Sequence, residues 1–166
     1  GLNELARRLE LTKKVEPKDD EISTHNRLSY NYFIVGHLKE SLGEADQAVK
    51  IAQGLESFQH LPLWPLLMKG LCFIQMNSLE KASKIAEEIK ALNLRRAEKR
   101  WYFYLIGLIE LEKKNNTQAI ESLKKALALE PHQWVPDGSN NAFFTEALAR
   151  AYFRSDDLEN ARREYE

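Results

Sequence analysis

Residues 103–131 read FYLIGLIELEKKNNTQAIESLKKALALEP, and this stretch decides the fold. Its apolar residues recur at helical spacing before and after the polar run at 113–118, which predicts two helices joined by a turn. Gly107 in the first predicted helix is followed twelve residues later by Ala119 in the second. Small residues at such places let two antiparallel helices approach to the short end of the roughly 8–10 Å packing range.

The same pair of small residues recurs along the chain. Its first members are Gly36, Gly70, Gly107 and Ala149, and its second members are Ala48, Ala82, Ala119 and Ala161. The internal offset is always 12 residues, whereas successive pairs are separated by 34 (70−36), 37 (107−70) and 42 (149−107) residues. A constant spacing within each pair and a variable spacing between pairs are typical of stacked helical repeats joined by connections of different length. Each such repeat buries its apolar face against its neighbours.

This pattern predicts an all-α fold, a right-handed α–α superhelix (solenoid) of antiparallel helix pairs with about three and a half to four repeats in one domain. The predicted parts are the second helix of a preceding repeat at 1–17, repeats at 29–62, 63–96 and 100–133, and an incomplete last repeat at 142–166. Because no capping unit is visible and the repeats are cut at both ends, we expect a fragment of a larger protein.

The boundaries of the first full repeat follow from the same small residues. A helix capped by Ser23 or Thr24 is expected to run to about Ser41, with Gly36 at the helix crossing. The turn is expected at 42–44, and the second helix at about 45–57.

The charge balance speaks against a nucleic-acid partner. The 166 residues hold 24 Lys+Arg and 25 Asp+Glu, a formal net charge of −1, which lacks the basic footprint of a nucleic-acid-binding domain. One local basic cluster remains, Arg95, Arg96, Lys99 and Arg100. We interpret it as a solvated turn between repeats, with a phosphate or lipid contact as the alternative.

Neither a membrane span nor a secretory signal is predicted. No apolar stretch approaches the ~20 residues that cross a bilayer, and the N-terminal residues lack the pattern of a signal peptide. We therefore expect no membrane partner and a cytoplasmic location.

The third unit, Phe103-x2-Ile106-Gly107 followed by Ala119-x3-Leu123, Ala126 and Pro131, is similar to the tetratricopeptide repeat. That repeat has the pattern W-x2-L-G-x2-Y…A-x3-F…P over 34 residues. The other units resemble it as well, with departures at Lys39 and Glu110, where the pattern has Tyr, and at Lys69, where it has Leu. The resemblance implies a surface that holds other proteins, of the kind attached to bacterial signalling and regulatory proteins.

The resemblance also implies that the first helix of each pair lines a concave, ligand-facing surface. The residues expected to bind a partner there are Tyr30, Phe33, His37, Trp64, Leu67, Leu71, Trp101, Tyr104, Leu108, Phe143 and Arg150. This set is aromatic and apolar, which favours a groove that holds an apolar or amphipathic peptide, a helix or a domain. The other interpretation is that neighbouring repeats bury these side chains against each other. The clamp of Lys, Asn and Arg by which some relatives hold a carboxylate is missing.

No constellation in the sequence predicts catalysis. The chain has no glycine-rich phosphate loop, its four histidines fall in different units without ligand spacing, and Cys72 lies in an apolar run. We expect no enzymatic activity, no cofactor and no metal.

The predicted function is a protein–protein interaction scaffold within a larger regulatory protein. The alternative is a structural or self-association module, whose groove is filled by its own flanking chain or by a second copy in a homodimer.

Overall fold

The computed structural model describes residue 4 and residues 18–55, 62–129 and 140–165. These residues form eight helices and no strand: α1 (Lys18–Ile34), α2 (Leu38–Gln53), α3 (Leu63–Gln75), α4 (Leu79–Ala91), α5 (Lys99–Glu112), α6 (Asn116–Ala128), α7 (Asn140–Arg154) and α8 (Leu158–Tyr165). The predicted all-α fold of helix pairs is confirmed. The helix predicted at 1–17 lies outside the described residues, apart from Glu4.

The chain divides into two compact units, residues 1–93 and residues 94–166. Unit 1 holds the hairpins α1–α2 and α3–α4, and unit 2 holds the hairpins α5–α6 and α7–α8. Within each unit, the first helix of the second hairpin contacts both helices of the first hairpin. Each unit can therefore be described as two stacked helical hairpins.

All four hairpins have the same turn. One residue in each turn has a positive φ: Gly36 (79°), Asn77 (53°), Lys114 (65°) and Asp156 (61°). The N–H of the next residue donates to the carbonyl oxygen five residues earlier over 2.8–3.0 Å, and the N–H of the positive-φ residue donates to the carbonyl three residues earlier over 2.9–3.1 Å. These are the two hydrogen bonds of the Schellman motif, which ends a helix and satisfies its last carbonyl groups.

The shared turn corrects the predicted register of the first hairpin. Gly36 lies in the turn rather than at a helix crossing, α1 ends at Ile34 rather than near Ser41, and the predicted turn at 42–44 is helical. The first hairpin therefore begins at 18, before the predicted repeat at 29–62. Gly36 satisfied the sequence pattern because it lies seven residues, close to two helical turns, from the residue that does occupy the crossing.

The crossing in α1–α2 is made by two serines. Five residues after each positive-φ residue lies a buried small residue: Ser41, Ala82, Ala119 and Ala161. Twelve residues before each of these lies a second buried small residue: Ser29, Gly70, Gly107 and Ala149. Ser29 and Ser41 thus take the places that glycine and alanine take in the other hairpins, and the predicted pair of Gly36 with Ala48 is wrong.

The crossing in α5–α6 shows why these positions are small. A Cβ atom added to Gly107 would lie 2.6 Å from Cγ and 2.8 Å from Cδ2 of Leu123, which is itself fully buried. Since real side chains do not approach so closely, a larger residue at 107 would force the two helices apart.

Candidate functional site

Unit 1 carries an aromatic and apolar surface on the first helices of its two hairpins. We call Tyr30, Phe33, Ile34, Trp64 and Leu71 the unit 1 face. Residues 30, 33 and 34 of α1 share one side of that helix by their i, i+3, i+4 spacing. The Tyr30 ring lies beside the Trp64 ring of α3, with centroids 6.5 Å apart and planes tilted by 46°.

The unit 1 face is partly open to solvent. Tyr30, Phe33, Trp64 and Leu71 are half-buried, and Ile34 is 61% exposed. Leu67, which the sequence placed among the partner-binding residues, is 1% exposed and belongs to the core. Ile34 was missed, because the prediction counted positions from Gly36 rather than from Ser29.

His37 does not lie on this face. It follows the positive-φ Gly36 in the first turn, where it is exposed and stacks on Tyr32 at a centroid distance of 6.2 Å. Its Nδ1 lies 4.0 Å from Oε1 of Glu40, the acidic residue in the first turn of α2. The predicted position on the ligand-facing side of a helix is therefore corrected to a position in a loop.

In unit 2, the predicted partner-binding residues of α5 are mostly core. Trp101, Tyr104 and Leu108 are 8%, 7% and 6% exposed. Phe144 of α7 is fully buried and lies against two of them, with ring centroids 5.1 Å from Trp101 and 5.0 Å from Tyr104. For these three side chains the structure agrees with the interpretation that adjacent helices bury them.

The open part of unit 2 lies on α7. Phe143 is 39% exposed and Phe153 is 66% exposed. Arg150, which lies between them in the sequence, is half-buried. The spacing of residues 143, 146, 150 and 153 places them on one side of the helix. We call Phe143, Arg150 and Phe153 the unit 2 face.

The polar groups near the unit 2 face act on Tyr104. The pKa of its phenol is raised to about 12, mainly by burial and also by the nearby Glu146 carboxylate, whereas Arg150 lowers that pKa. Arg150 forms no ion pair with the described residues, and its Nε is buried without a hydrogen-bond partner. The phenol therefore stays protonated and neutral at physiological pH.

A second contact ties the two hairpins of unit 2 together. Nη1 of Arg154 donates to the carbonyl oxygen of Leu111 at 2.9 Å, and Nδ2 of Asn116 donates to the carbonyl oxygen of Arg154 at 2.7 Å. Both bonds join the end of α7 to the turn between α5 and α6. Arg154 is thus committed to structure rather than free for a ligand.

Among the described residues, the candidates for chemistry are metal-binding groups and the thiol of Cys72. They hold no group of three or more His, Cys, Asp or Glu side chains that could bind a metal ion. Cys72 is fully buried, its Sγ donates to Oγ of Ser41 at 3.2 Å, and burial raises the pKa of the thiol, which disfavours the nucleophilic thiolate. None of the described helices is long and apolar enough to span a bilayer.

Comparisons with known proteins agree with this architecture. A family model described as "Tetratricopeptide repeat" matches residues 102–133, which include most of α5 and all of α6. No curated protein matches the chain.

Two solved structures share the fold. One is "MamA RS-1 ArsTM double mutant", with a TM-score of 0.59 and 18% identity over 99% of this chain and 81% of that chain. The other is "MamA 41-end from Desulfovibrio magneticus RS-1", with a TM-score of 0.54 and 14% identity over 99% of this chain and 90% of that chain. At these identities the likeness concerns the fold. Residues 102–133 therefore match the tetratricopeptide repeat, and the other hairpins have the same turn as this unit.

Proposed function

We propose that this chain is a protein–protein interaction scaffold, and that it holds an apolar or amphipathic peptide or helix through the unit 1 face. The observation that carries the proposal is the partly exposed row on α1, where the half-buried Tyr30 and Phe33 and the exposed Ile34 share one side of the helix and Tyr30 lies beside Trp64 of α3. A cluster of exposed apolar side chains of this kind marks a contact site more often than a solvated surface.

The aromatic residues of the unit 1 face are suited to act as anchors. Tyrosine and tryptophan offer large contact areas with few rotatable bonds, so that little conformational entropy is lost when a ligand covers them. The contact between the Tyr30 and Trp64 rings restricts both side chains before any ligand arrives. Such preorganisation lowers the entropic cost of binding.

The unit 2 face adds a smaller, mixed surface. Because Trp101, Tyr104 and Leu108 are buried, the apolar area open to a ligand reduces to Phe143 and Phe153, with Arg150 in the same row. The unit 1 face is therefore the better first target for mutation.

The test is a search for ligands that depends on the unit 1 face. A phage-displayed library of random peptides is selected on the immobilised chain, and an enriched peptide is labelled for fluorescence anisotropy. We expect enrichment of peptides with apolar residues at helical spacing. Ile34→Glu places a charge in the exposed row and should weaken binding roughly tenfold or more.

Leu158→Glu is the matched control, because Leu158 is 57% exposed in α8 of unit 2, against 61% for Ile34. Circular dichroism checks that both variants stay helical. Enrichment of no peptide above the empty support, or equal weakening by both variants, would overturn the proposal. Light scattering over a range of concentrations distinguishes ligand binding from the self-association alternative. If the chain associates with itself through the unit 1 face, the parent has a mass above that of the monomer and Ile34→Glu has the mass of the monomer.

A further inference from the structure

Arg100 is the one buried residue of the basic cluster Arg95, Arg96, Lys99 and Arg100. Arg95, Arg96 and Lys99 are exposed, as expected for a solvated turn, whereas Arg100 is 9% exposed. Its Nε and Nη1 are buried and have no hydrogen-bond partner. The interpretation of all four residues as solvated is therefore wrong for Arg100, since two of its three guanidinium nitrogens are buried without an acceptor.

Aromatic rings surround the Arg100 guanidinium. Its central carbon lies 5.3 Å from the centroid of the Trp101 ring and 5.8 Å from that of Phe144. Ring faces attract a cation, so they stabilise the charge in part. They do not replace oxygen acceptors, however, and buried donors without acceptors are costly.

Two helix N-termini add to the positive potential around this group. Arg100 is the second residue of α5, and Phe144 is the fifth residue of α7. The N-terminal end of a helix carries a partial positive charge, which an acidic residue in the first turn usually offsets. Neither α5 nor α7 has an acidic residue in its first turn.

Among the second helices of the hairpins, α2, α4 and α8 have Glu40, Glu80 and Glu159 in their first turns, whereas α6 has no acidic residue there. Glu98, two residues before Arg100 in the sequence, is held by the backbone N–H and the side chain of Arg95 at 2.5–3.0 Å. Among the described residues, no carboxylate pairs with Arg100, Arg96 or Lys99.

We propose that Arg100 is the centre of an anion-binding site of unit 2, which takes an anionic oxygen group of a ligand, a carboxylate or a phosphate. Guanidinium groups bind both through paired, charge-assisted hydrogen bonds. The N-terminal ends of α5 and α7 favour the same negative charge, and Arg96 and Lys99 attract it from solvent. This site goes beyond the proposed peptide-binding function, because it uses no residue of the unit 1 face.

The test uses sodium phosphate and sodium acetate as probes, at ionic strength kept constant with sodium chloride. The first measurement follows the Arg100 Nε–H signal in ¹H–¹⁵N spectra, and the second follows the thermal midpoint. We expect a saturable shift of this signal and a midpoint raised by roughly 2–4 °C at saturation. A stronger response to phosphate indicates a phosphorylated ligand, and a stronger response to acetate indicates an acidic side chain.

Arg100→Met keeps most of the buried volume and removes the charge, so it should stay folded and lose both responses. Arg163→Gln, an exposed arginine of α8, is the matched control and should keep them. Absence of a saturable Nε–H shift in the parent, or equal stabilisation of parent and Arg100→Met by either anion, would overturn the proposal.

Discussion

Ser29 and Ser41 each donate a hydrogen bond to the backbone carbonyl of the other across the α1–α2 crossing. Oγ of Ser29 donates to the carbonyl oxygen of Ser41 at 2.9 Å, and Oγ of Ser41 donates to that of Ser29 at 2.8 Å. The thiol of Cys72, on α3, donates to Oγ of Ser41 at 3.2 Å. In the other hairpins the crossing is formed by glycine and alanine, whereas in α1–α2 it is formed by hydrogen-bonded serines. Helix α3 joins this hydrogen-bond network through Cys72.

This network predicts coupled effects of mutation. Ser29→Ala should lower the free energy of unfolding by about 1 kcal/mol, because it removes the buried hydrogen bond to the carbonyl of Ser41. Ser41→Ala should cost about 1–2 kcal/mol, because it removes the bond to the carbonyl of Ser29 and also the acceptor of the Cys72 thiol. The double variant should cost less than the sum, since its crossing resembles the small, apolar crossings of the other hairpins. Urea denaturation of the parent, the two single variants and the double variant completes a double-mutant cycle. If the losses of unfolding free energy are strictly additive, the two serines are not coupled.

The tight crossing in unit 2 predicts that Gly107→Ala is destabilising. The added Cβ would meet Leu123 at 2.6 Å, and because Leu123 is fully buried it has no free space to move into. We expect a loss of about 1–3 kcal/mol, as for other overpacked cores, even though alanine is the better helix former. Denaturant unfolding provides the measurement.

Gly43→Ala is the matched control for that experiment. Gly43 is exposed within α2, and a Cβ added there meets nothing within 4 Å. This variant should gain about 0.5–1 kcal/mol from helix propensity and reduced freedom of the unfolded chain. An increase in the free energy of unfolding for both variants would show that the α5–α6 crossing can accommodate an added methyl group, which would contradict the prediction.

The shared turn predicts that Lys114→Gly is stabilising. Lys114 has a φ of 65°, a left-handed conformation that costs a side-chain-bearing residue roughly 1–2 kcal/mol and a glycine almost nothing. Allowing for the greater freedom of glycine in the unfolded chain, we expect a net gain of about 0.5 kcal/mol. The thermal midpoint reports the change.

Gly36→Ala is the reverse experiment at the equivalent turn. A Cβ at Gly36 meets nothing within 4 Å, so the positive φ of 79° is the sole cost, and the variant should lose about 1 kcal/mol. If Lys114→Gly and Gly36→Ala shift the midpoint in the same direction, the turns do not share one conformational requirement.

The buried phenol of Tyr104 predicts a loss of stability in base. Its pKa is about 12 in the folded chain against 10 for a free tyrosine, so its contribution is fully present below pH 10 and is lost as the pH rises through 12. Two pKa units correspond to roughly 2–3 kcal/mol. Urea denaturation between pH 8 and pH 12 should show a steeper decline for the parent than for Tyr104→Phe.

Tyr165→Phe is the control for this titration, because Tyr165 is 67% exposed. It should follow the parent, since the phenol that this variant removes is not buried by folding. A Tyr104→Phe protein whose stability falls as steeply as that of the parent would place the base sensitivity elsewhere.

Sequence spacing was sufficient for the all-α hairpin fold but not for the register of the first hairpin. Gly36 and Ala48 reproduce the 12-residue offset of Gly107 and Ala119, and a shift of seven residues keeps the same side of a helix facing inward. Ala48 is indeed fully buried, although it is not at the crossing. The true pair was hidden because its members are serines, and the signal that reveals it is the turn residue five positions before Ser41.

The exposure of the candidate surface was predictable only in part. Counting from the small residues by the positions that the resemblance implies named Tyr30 and Phe33, which are half-buried. The same counting placed Trp101 and Tyr104 on an open face, whereas Phe144 from α7 covers both. The residue spacing within α5 does not show which of its side chains a later helix will bury. The burial of Trp101 and Tyr104 could therefore be seen only in the structure.

The constant geometry of the turns indicates where the length of this chain can vary. From each positive-φ residue to the crossing residue of the second helix there are always five positions, and the two crossing residues are always 12 apart. The intervals between hairpins are instead 41 (70−29), 37 (107−70) and 42 (149−107) residues. The length is therefore constant within the hairpins and variable between them, which makes the connections between hairpins the natural places to graft a new loop or tag.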